Sequence, residues 1–215
     1  MSKKLAVIVG AGPGVGNHVA KKFGLNGFRV ILISRSLNSL NTYVDALRSE
    51  GIEAYGITAD AGCVESLEKA FDQIKQTYGV TDVLVYNAVT LVVGKPTTLT
   101  PETLLNNLSV DVAGALTSAL QVIPDQRKRK EGTILFTGGS IALHPSPDYS
   151  SLSIGKAAMR NLALTLAAEL APEGIFVGTV TISGVVQAGT DFDPERIANV
   201  YWDLFEKRDQ YEVIY

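Results

Sequence analysis

Three glycines near the amino-terminal end of the chain, Gly10, Gly14 and Gly16, have the spacing of a ligand-binding turn. They directly follow the apolar run Leu5 to Val9. Glycine tolerates the positive φ angles of a tight strand-to-helix turn, and it lets backbone N–H groups approach a ligand at the positive end of the following helix. A pyrophosphate group would fit such a turn. The spacing differs from the common Gly-x-Gly-x-x-Gly fingerprint, so the glycines alone predict either a nucleotide loop or a turn without a ligand.

Polar side chains follow the next three apolar runs of strand length. Ser34 and Arg35 end the second run, Asp60 follows the third and Asn87 follows the fourth. A hydroxyl group and a guanidinium group can together bind a phosphate. For Asp60 and Asn87 alone, a capping or turn role is the ordinary interpretation, and Arg35 alone could be a surface arginine.

The elements that must position these residues alternate between strand and helix. The periodicity predicts strands near residues 5–9, 28–33, 54–58, 81–86, 132–137, 176–182 and 212–215, and helices near 15–25, 40–47, 67–74, 101–126, 150–170 and from 194. Such alternation with short connections is typical of parallel β-α-β units. We therefore expect an α/β fold, a single doubly wound Rossmann-type domain over residues 1–215 with a mostly parallel seven-stranded sheet and helices on both faces.

Two of the predicted helices carry specific expectations. The helix over 101–126 has Thr100 as its N-cap and Pro101 in its first turn, and Pro124 is expected to kink or end it. The basic residues 127–130 are interpreted as the solvated end of this helix rather than a nucleic-acid patch. The helix over 150–170 is apolar or small nearly all round, which predicts burial on more than one side.

Composition excludes several classes of protein. A net charge of −3 over 215 residues gives no reason to expect a nucleic-acid partner, and no apolar run is long enough to cross a membrane. The single cysteine, Cys63, has no partner for an internal disulfide. Residues 1–4 lead into an apolar run too short for a signal sequence. These features predict a cytoplasmic protein without a metal site.

In the order and spacing of these landmarks the chain resembles the short-chain dehydrogenase/reductase family along essentially its whole length. The three glycines match the nucleotide loop of that family, Asp60 stands where an acidic residue contacts the adenine, and Asn87-Ala88 looks like the start of the Asn-Ala-Gly segment. Lys156 falls in the expected long helix. The cofactor contacts that the resemblance implies are Gly10, Gly14, Val15, Gly16, Ser34, Arg35, Asp60, Ala61, Asn87, Ala88 and Lys156.

The end of the second strand predicts which dinucleotide is bound. An acidic side chain at this place binds the ribose hydroxyls of NAD and would repel a 2′-phosphate. Here Ser34 and Arg35 stand in its place. We therefore expect NADP as the cofactor rather than NAD.

The catalytic segment departs from the family pattern. The family has a tyrosine four residues before the lysine, on the same helical face, and this chain has Leu152 there. Loss of a positioned acid typically costs about 10²- to 10⁴-fold in rate. The serine position falls near Gly139, with Ser140 beside it, and Asp111 replaces the usual asparagine. The candidate catalytic residues are Lys156, Ser140, Tyr149 and Asp111.

Tyr149 is the candidate replacement for the missing tyrosine. In a continuous helix it would lie two turns, about 10 Å, from Lys156, which is too far for direct coupling. If the helix begins after Tyr149, the loop could place its ring toward the nicotinamide, and a packing or surface role is the alternative. The segment between residues 182 and 194 is short for a lid. The site is therefore expected to be open or closed by a partner subunit.

Two functions follow from the resemblance and its departures. The first is an NADPH-dependent oxidoreductase of atypical catalytic makeup that acts on a small carbonyl or alcohol substrate. The alternative is a dinucleotide-binding sensor or scaffold with little or no turnover. A third hypothesis is an interaction or assembly protein. It rests on the helices over 108–120 and 150–170, which match those that form a four-helix interface in the family and imply a homodimer or homotetramer, unless they are buried in the core of their own chain.

Overall fold

Seven strands alternate with helices in the computed structural model, which describes residues 3–215. Of the predicted domain, residues 1 and 2 lie outside the described part. The strands are β1 (Leu5–Val9), β2 (Arg29–Ser34), β3 (Ala54–Thr58), β4 (Val83–Tyr86), β5 (Gly132–Gly139), β6 (Ile175–Ile182) and β7 (Glu212–Ile214). The α-helices are α1 (Val15–Leu25), α2 (Leu37–Ser49), α3 (Val64–Tyr78), α4 (Pro101–Leu108), α5 (Gly114–Arg129), α6 (Ser150–Leu170) and α7 (Pro194–Lys207).

The strands form one sheet in the order β3-β2-β1-β4-β5-β6-β7. Every pair of neighbours is parallel. The chain leaves β1 toward β2 on one side and returns to β4 on the other, so the direction of winding reverses between β1 and β4. In doubly wound sheets a crevice opens outside the carboxyl ends of the strands at such a reversal. The predicted fold class is confirmed, and the sheet is parallel throughout.

Two apolar layers cover the two faces of the sheet. Alternate residues of β1 divide between them: Val7 and Val9 pack in a cluster with helices α3, α5 and α6, and Ala6 and Ile8 in a cluster with α1, α2 and α7. All five residues of β1 are buried. This burial on both faces explains why the sequences of the central strands are continuous apolar runs rather than alternating apolar and polar residues.

The helix predicted over residues 101–126 is interrupted once, and Pro124 does not end it. Between α4 and α5 the chain takes one π-helical segment, Ser109–Ala113, which turns Asp111 into the interior. The helix then runs through Pro124 to Arg129. Pro124 lies on the exposed side of α5, where water can serve the carbonyl group that loses its hydrogen bond. Apolar spacing does not reveal a π segment, because one extra residue shifts the pattern by less than a third of a turn.

The basic residues at the end of α5 pair with carboxylates. Arg127 contacts Glu169 and Glu173, and Arg129 contacts Asp82, so both arginines tie the helix end to neighbouring elements. Helix α6 spans the residues predicted for it, but its burial is incomplete. An exposed stripe runs along it at Ile154, Ala157, Asn161, Thr165 and Ala168. None of the helices within residues 3–215 has the length and apolar character that a membrane span requires.

Candidate active site

Two adjoining cavities lie at the carboxyl edge of the sheet, where the winding reverses. The first, of about 580 Å³, extends from the turn after β1 past the ends of β2 and β3. The second, of about 720 Å³, extends from the same turn past the ends of β5 and β6. Gly12, Asn87, Val89 and Leu91 line both. A long ligand can therefore lie across the reversal point with one end in each cavity.

The glycines of the turn after β1 have different structural roles. Gly10 has a φ of +87°, and a Cβ there would lie 2.4 Å from the backbone nitrogen of Ala88. A Cβ on Gly16 would lie 2.7 Å from the carbonyl oxygen of Gly10. Gly12 differs, because a Cβ would meet no protein atom within 4 Å. Gly10 and Gly16 thus allow the turn to pack, and Gly12 leaves space beside the cavities.

The amino-terminal end of α1 opens beside this turn. Gly14 is its N-cap and supplies no side-chain cap, and the first turn carries no acidic residue. The first N–H groups of a helix have no partners within the helix, and the helix dipole favours an anion beside them. Gly14, Val15 and Gly16 also line the second cavity. The arrangement suits a phosphate group.

Asn87 connects three strands at the junction of the cavities. Its amide group donates to the carbonyl oxygen of Gly10 over 2.9 Å, and its amide oxygen accepts from the Thr137 hydroxyl over 2.9 Å. The buried Tyr201 hydroxyl in turn donates to Oγ1 of Thr137 over 2.6 Å. Burial raises the pKa of Tyr201, so this phenol stays protonated and keeps donating. The network fixes the orientation of the Asn87 side chain.

The far end of the first cavity is rich in hydroxyl groups. Ser34, Arg35, Ser36, Ser39 and Tyr43 line it. Ser36 is the N-cap of α2 and accepts a hydrogen bond from the backbone N–H of Ser39. Arg35 is exposed and forms no ion pair with any residue in the part of the chain that the structure describes. This corner offers a guanidinium group, several hydroxyl groups and a helix amino terminus to an anion.

Ser36, Ser39 and Tyr43 were missed by sequence reasoning, which stopped at Arg35. Their signal is present in the sequence as hydroxyl residues in the first turns of the helix that follows the second strand. Asp60 and Ala61 line the same cavity opposite them, with Ala88. Oδ1 of Asp60 also accepts from the backbone N–H of Gly62 over 2.9 Å, so this residue combines the turn role with a place in the wall.

Lys156 lies on the buried face of α6 and lines the second cavity. Its ammonium group donates to the carbonyl oxygen of Thr137 over 2.5 Å. Burial lowers the pKa of Lys156 to about 8, and the negative charge of Asp111 opposes part of that effect. A lysine with this pKa is a charged hydrogen-bond donor at neutral pH that can also release its proton in mildly alkaline solution.

Asp111 lies behind the cavities rather than in their walls, and its role as a catalytic residue stays a prediction. Oδ1 accepts from the backbone N–H of Thr90 over 2.7 Å, and the buried Oδ2 has no hydrogen-bond partner among the described residues. Burial raises the pKa of Asp111 to about 6, although the Thr90 bond and the charge of Lys156 both favour ionisation. Gly155 makes room for it, since a Cβ there would lie 2.4 Å from Oδ2. Asp111 positions other groups.

The candidate catalytic hydroxyl groups lie in one cavity with Lys156. Helix α6 begins at Ser150 with Tyr149 as its N-cap, so the condition under which the Tyr149 ring could face the site is met. Tyr149, Ser140 and Leu152 all line the second cavity. Leu152 therefore stands in the wall without a proton to donate. The structure brings the candidates together, and their roles in a reaction remain predictions.

Side chains that could bind metal are not clustered. Within residues 3–215 no group of three or more histidine, cysteine, aspartate or glutamate side chains lies close enough to hold an ion. The apolar part of the second cavity was also missed by sequence reasoning. Of its members, Ile141 lies in a short 3-10 helix, and Val185 and Val186 lie in a loop, where apolar residues carry no periodic signal.

Comparison with known proteins assigns the chain to one family. A family model described as short chain dehydrogenase matches residues 4–197. The chain is 29% identical over 178 residues to dehydrogenase/reductase SDR family member 4 of Homo sapiens, an alignment that covers 82% of this chain and 64% of the human protein. It is 27% identical over 209 residues to oxidoreductase UcpA of Salmonella typhi, which covers 92% and 78%. The chain thus spans less than two thirds of the human relative's length.

Solved structures resemble the whole described chain. A metagenomic short-chain oxidoreductase in complex with NADP matches with a TM-score of 0.91 and 25% identity. The match covers 100% of this chain and 97% of that one. The chain therefore has the same fold as this solved oxidoreductase.

Proposed function

Because the chain belongs to the short-chain dehydrogenase/reductase family, we propose that it is an NADP-dependent oxidoreductase that interconverts a carbonyl compound and its alcohol. One observation carries the proposal. The two cavities meet at Gly12 and Asn87, with Arg35 at the far end of one and Lys156 in the wall of the other. A dinucleotide bound across the junction would have its adenosine end beside Arg35 and its nicotinamide beside Lys156.

The residues present fit this cofactor. Gly12 leaves open space beside both cavities, and the uncapped start of α1 offers N–H groups to a pyrophosphate. Asp60 and Ala61 would flank the adenine, and Asn87 and Ala88 the adjoining ribose. The solved oxidoreductase in complex with NADP, which is similar to this chain, supports the assignment of NADP as the cofactor.

Preference for NADP over NAD rests on Ser34, Arg35, Ser36 and Ser39. We expect calorimetry to show NADP+ binding at least about tenfold tighter than NAD+, a difference of about 1.4 kcal/mol. Arg35→Ala should remove most of this preference, because a 2′-phosphate loses its charged partner. Arg127→Ala, at the opposite end of the fold, is the matched control. Equal or tighter NAD+ binding by the unmodified protein would refute the preference.

When bound, the nicotinamide would supply the hydride that a carbonyl carbon accepts, and the carbonyl oxygen must then take up one proton. Ser140 can donate a hydrogen bond to that oxygen and polarise the carbonyl. The Tyr149 hydroxyl, or a water molecule, supplies the proton that Leu152 cannot. Lys156 binds ribose hydroxyls through its ammonium group, and its charge favours proton release from a neighbouring phenol. The charge of Asp111 raises the pKa of Lys156 and so favours its charged form.

A second candidate function is a dinucleotide-binding sensor or scaffold with little turnover. The observation that favours it is Leu152, which places an aliphatic side chain at the wall position where the family has its proton donor. In that case the cofactor cradle would be retained for binding alone. Both candidates require NADP binding, so activity separates them.

Following NADPH oxidation on a panel of aldehydes and ketones tests the reaction. Turnover that Lys156→Ala abolishes and Tyr149→Phe reduces about 10²-fold or more supports the oxidoreductase with Tyr149 as the donor. Turnover that survives Tyr149→Phe assigns the proton to water. An inactive protein that gains turnover through Leu152→Tyr supports the sensor. If no dinucleotide binds by calorimetry, both candidates fail.

We also propose that two copies of the chain associate through the exposed faces of α5 and α6. Both helices pack on the same side of the sheet. Helix α5 exposes Leu116 and Leu120, and α6 exposes Ile154. Large apolar side chains grouped on a surface indicate an interaction site.

A further inference from the structure

The second cavity is apolar beyond the glycine turn. The side chains that line this part include Leu91, Ile141, Leu152, Val185 and Val186. Between them, Ser140, Tyr149 and Ser183 supply hydroxyl groups. A wall of this kind holds a ligand mainly by removing apolar surface from water, and the few hydroxyl groups orient one polar group of it.

Charged side chains are almost absent from this wall. Among the described residues that line the second cavity, Lys156 alone carries a charge, and its ammonium group is buried against the carbonyl oxygen of Thr137. A carboxylate or phosphate on a substrate would therefore leave water without finding a charged partner beyond the nicotinamide end. Burying an unpaired charge is strongly unfavourable.

Apolar residues continue from the cavity onto its rim. Leu91 is 69% exposed and Val185 80%, and both line the cavity; Val93, two residues after Leu91 in the same loop, is 70% exposed. Exposed side chains of this size, grouped around a cavity, are typical of a surface that is covered when a ligand binds. Because the segment after β6 is short, the described residues provide no lid that covers them.

The loop that carries Leu91 and Val93 is held in place at both sides. The backbone N–H of Thr90 donates to Asp111 over 2.7 Å. Beyond Val93, the N–H of Gly94 donates to the carbonyl oxygen of Asp148 over 2.8 Å, and the Ser150 hydroxyl donates to the carbonyl oxygen of Gly94 over 2.7 Å. These bonds present the two apolar side chains at the rim rather than in the core. The buried carboxylate of Asp111 is used to fix this wall.

Resting on the oxidoreductase function proposed above, we propose that the substrate is an uncharged carbonyl compound with a hydrophobic body. Its carbonyl oxygen faces Ser140 and Tyr149, and its body lies along Leu152, Ile141 and Leu91 out to the rim. Reduction adds a hydride to the carbonyl carbon and a proton to its oxygen, giving a neutral alcohol. Substrates whose charged group would have to lie against this wall, such as phosphorylated sugars, are disfavoured.

Three probes test this substrate class: butan-2-one, octan-2-one and 7-oxooctanoate, which has the eight-carbon chain of octan-2-one with a terminal carboxylate. Their binding to the protein saturated with NADP+ is measured by calorimetry, so that the result does not depend on turnover. We expect octan-2-one to bind at least about tenfold tighter than butan-2-one, because its additional methylene groups leave water. We expect 7-oxooctanoate to bind at least about tenfold weaker than octan-2-one, because its carboxylate must lose part of its water to contact the apolar side chains at the rim.

A rim variant locates the binding surface. In the unmodified protein octan-2-one is expected to bind more tightly than 7-oxooctanoate. Leu91→Lys should reduce this preference at least about tenfold, because an ammonium group replaces an apolar contact and attracts the carboxylate. Leu25→Lys changes another exposed leucine, at the end of α1, and should leave the preference unchanged. Circular dichroism checks that both variants are folded.

The outcomes distinguish the substrate class from the proposed function. Equal binding of the ketone and the carboxylate, failure of both to bind, or a preference that Leu91→Lys does not alter would overturn the substrate class. Absence of NADP+ binding in the same calorimeter would overturn the oxidoreductase function instead. Capture of another protein by the unmodified rim but not by Leu91→Lys, without ketone binding, would show that the rim is a docking surface and also overturn the substrate class.

Discussion

Gly10 and Gly12 lie two residues apart in the same turn and have different tolerance for a side chain. Gly10→Ala places a Cβ 2.4 Å from backbone at a φ of +87°, so it should destabilise the fold by at least about 1–3 kcal/mol. Gly12→Ala meets no protein atom within 4 Å and should leave unfolding unchanged. Its methyl group would occupy space beside both cavities. We expect it to weaken NADP+ binding about tenfold or more.

Urea denaturation and calorimetry on the two variants check this pair. Each variant controls for the other, since the chemical change is the same methyl group. Full NADP+ affinity in Gly12→Ala would show that the cofactor does not approach this part of the turn. Normal stability in Gly10→Ala would contradict the close contact with Ala88.

Asp111 should destabilise the protein at neutral pH. Its pKa is raised from an ordinary value near 4 to about 6, so the unfolded chain releases this proton at lower pH than the folded one. Stability is therefore lost as pH rises from about 4 to 6 and stays lost above 6. Asp111→Asn removes the charge and keeps the acceptor for Thr90. We expect it to raise the free energy of unfolding at pH 7 by about 1–3 kcal/mol, with the gain shrinking toward pH 4.

Urea denaturation between pH 4 and 8 measures this dependence. Asp125→Asn is the control of opposite sign, because contact with Lys75 lowers the pKa of Asp125. Its carboxylate stabilises the fold above about pH 4, and the variant should be less stable than the unmodified protein at pH 7. A gain in Asp111→Asn that does not change with pH would show that ionisation is not its cause.

At the scale of elements, Pro124 breaks a local rule inside α5. Proline has no N–H group to donate to the carbonyl of Leu120, and the ring crowds that carbonyl. Pro124→Ala restores the hydrogen bond on an exposed surface and should raise the free energy of unfolding by about 1–2 kcal/mol. Pro101 lies in the first turn of α4, where its missing N–H group breaks no helical hydrogen bond, so Pro101→Ala should not raise the free energy of unfolding. Thermal denaturation compares the two variants. An equal change in stability in both would contradict a destabilisation that is specific to proline in the helix interior.

Elements with strong periodicity could be predicted from the sequence, and those that depend on tertiary contact could not. Helices α1 and α6 have the predicted bounds because apolar spacing and flanking glycine or loop residues mark their ends. The π segment at Ser109–Ala113 has no such mark. It is favoured by contacts that form only in the fold, where Gly114 packs against the carbonyl of Ala61 and Tyr86 donates to Val110.

The candidate site, like the fold, could be predicted from the sequence only in part. Residues at strand ends, such as Ser34, Asp60 and Asn87, could be assigned to it because parallel strands place their carboxyl ends at one edge. Asp111 could be aligned with a family position, but its place behind the wall depends on the π segment. The apolar loop residues Leu91 and Val185 enter the site only through tertiary structure.

At the scale of the whole molecule, the helices on the two sides of the sheet differ in how much apolar surface they leave exposed. Trp202 and Phe205 of α7 pack over the aromatic rings of Phe23 and Phe28 and seal one side. On the other side α5 and α6 keep large apolar residues exposed. The stripe on α6 consists mainly of small residues, which permit close approach of another helix. This side is therefore the one suited to association of two copies.

Association through this side predicts a concentration-dependent dimer or larger assembly in light scattering. Leu120→Glu and Ile154→Glu should each convert it to a monomer, because symmetric packing would bury the new carboxylate twice without a partner. Both positions are exposed in the single chain, so each variant should remain folded by circular dichroism. Leu25→Glu changes another exposed leucine, on the other side of the sheet, and should not change the assembly. A monomer at micromolar concentration in the unmodified protein, or an assembly that persists in both variants, would contradict this interface.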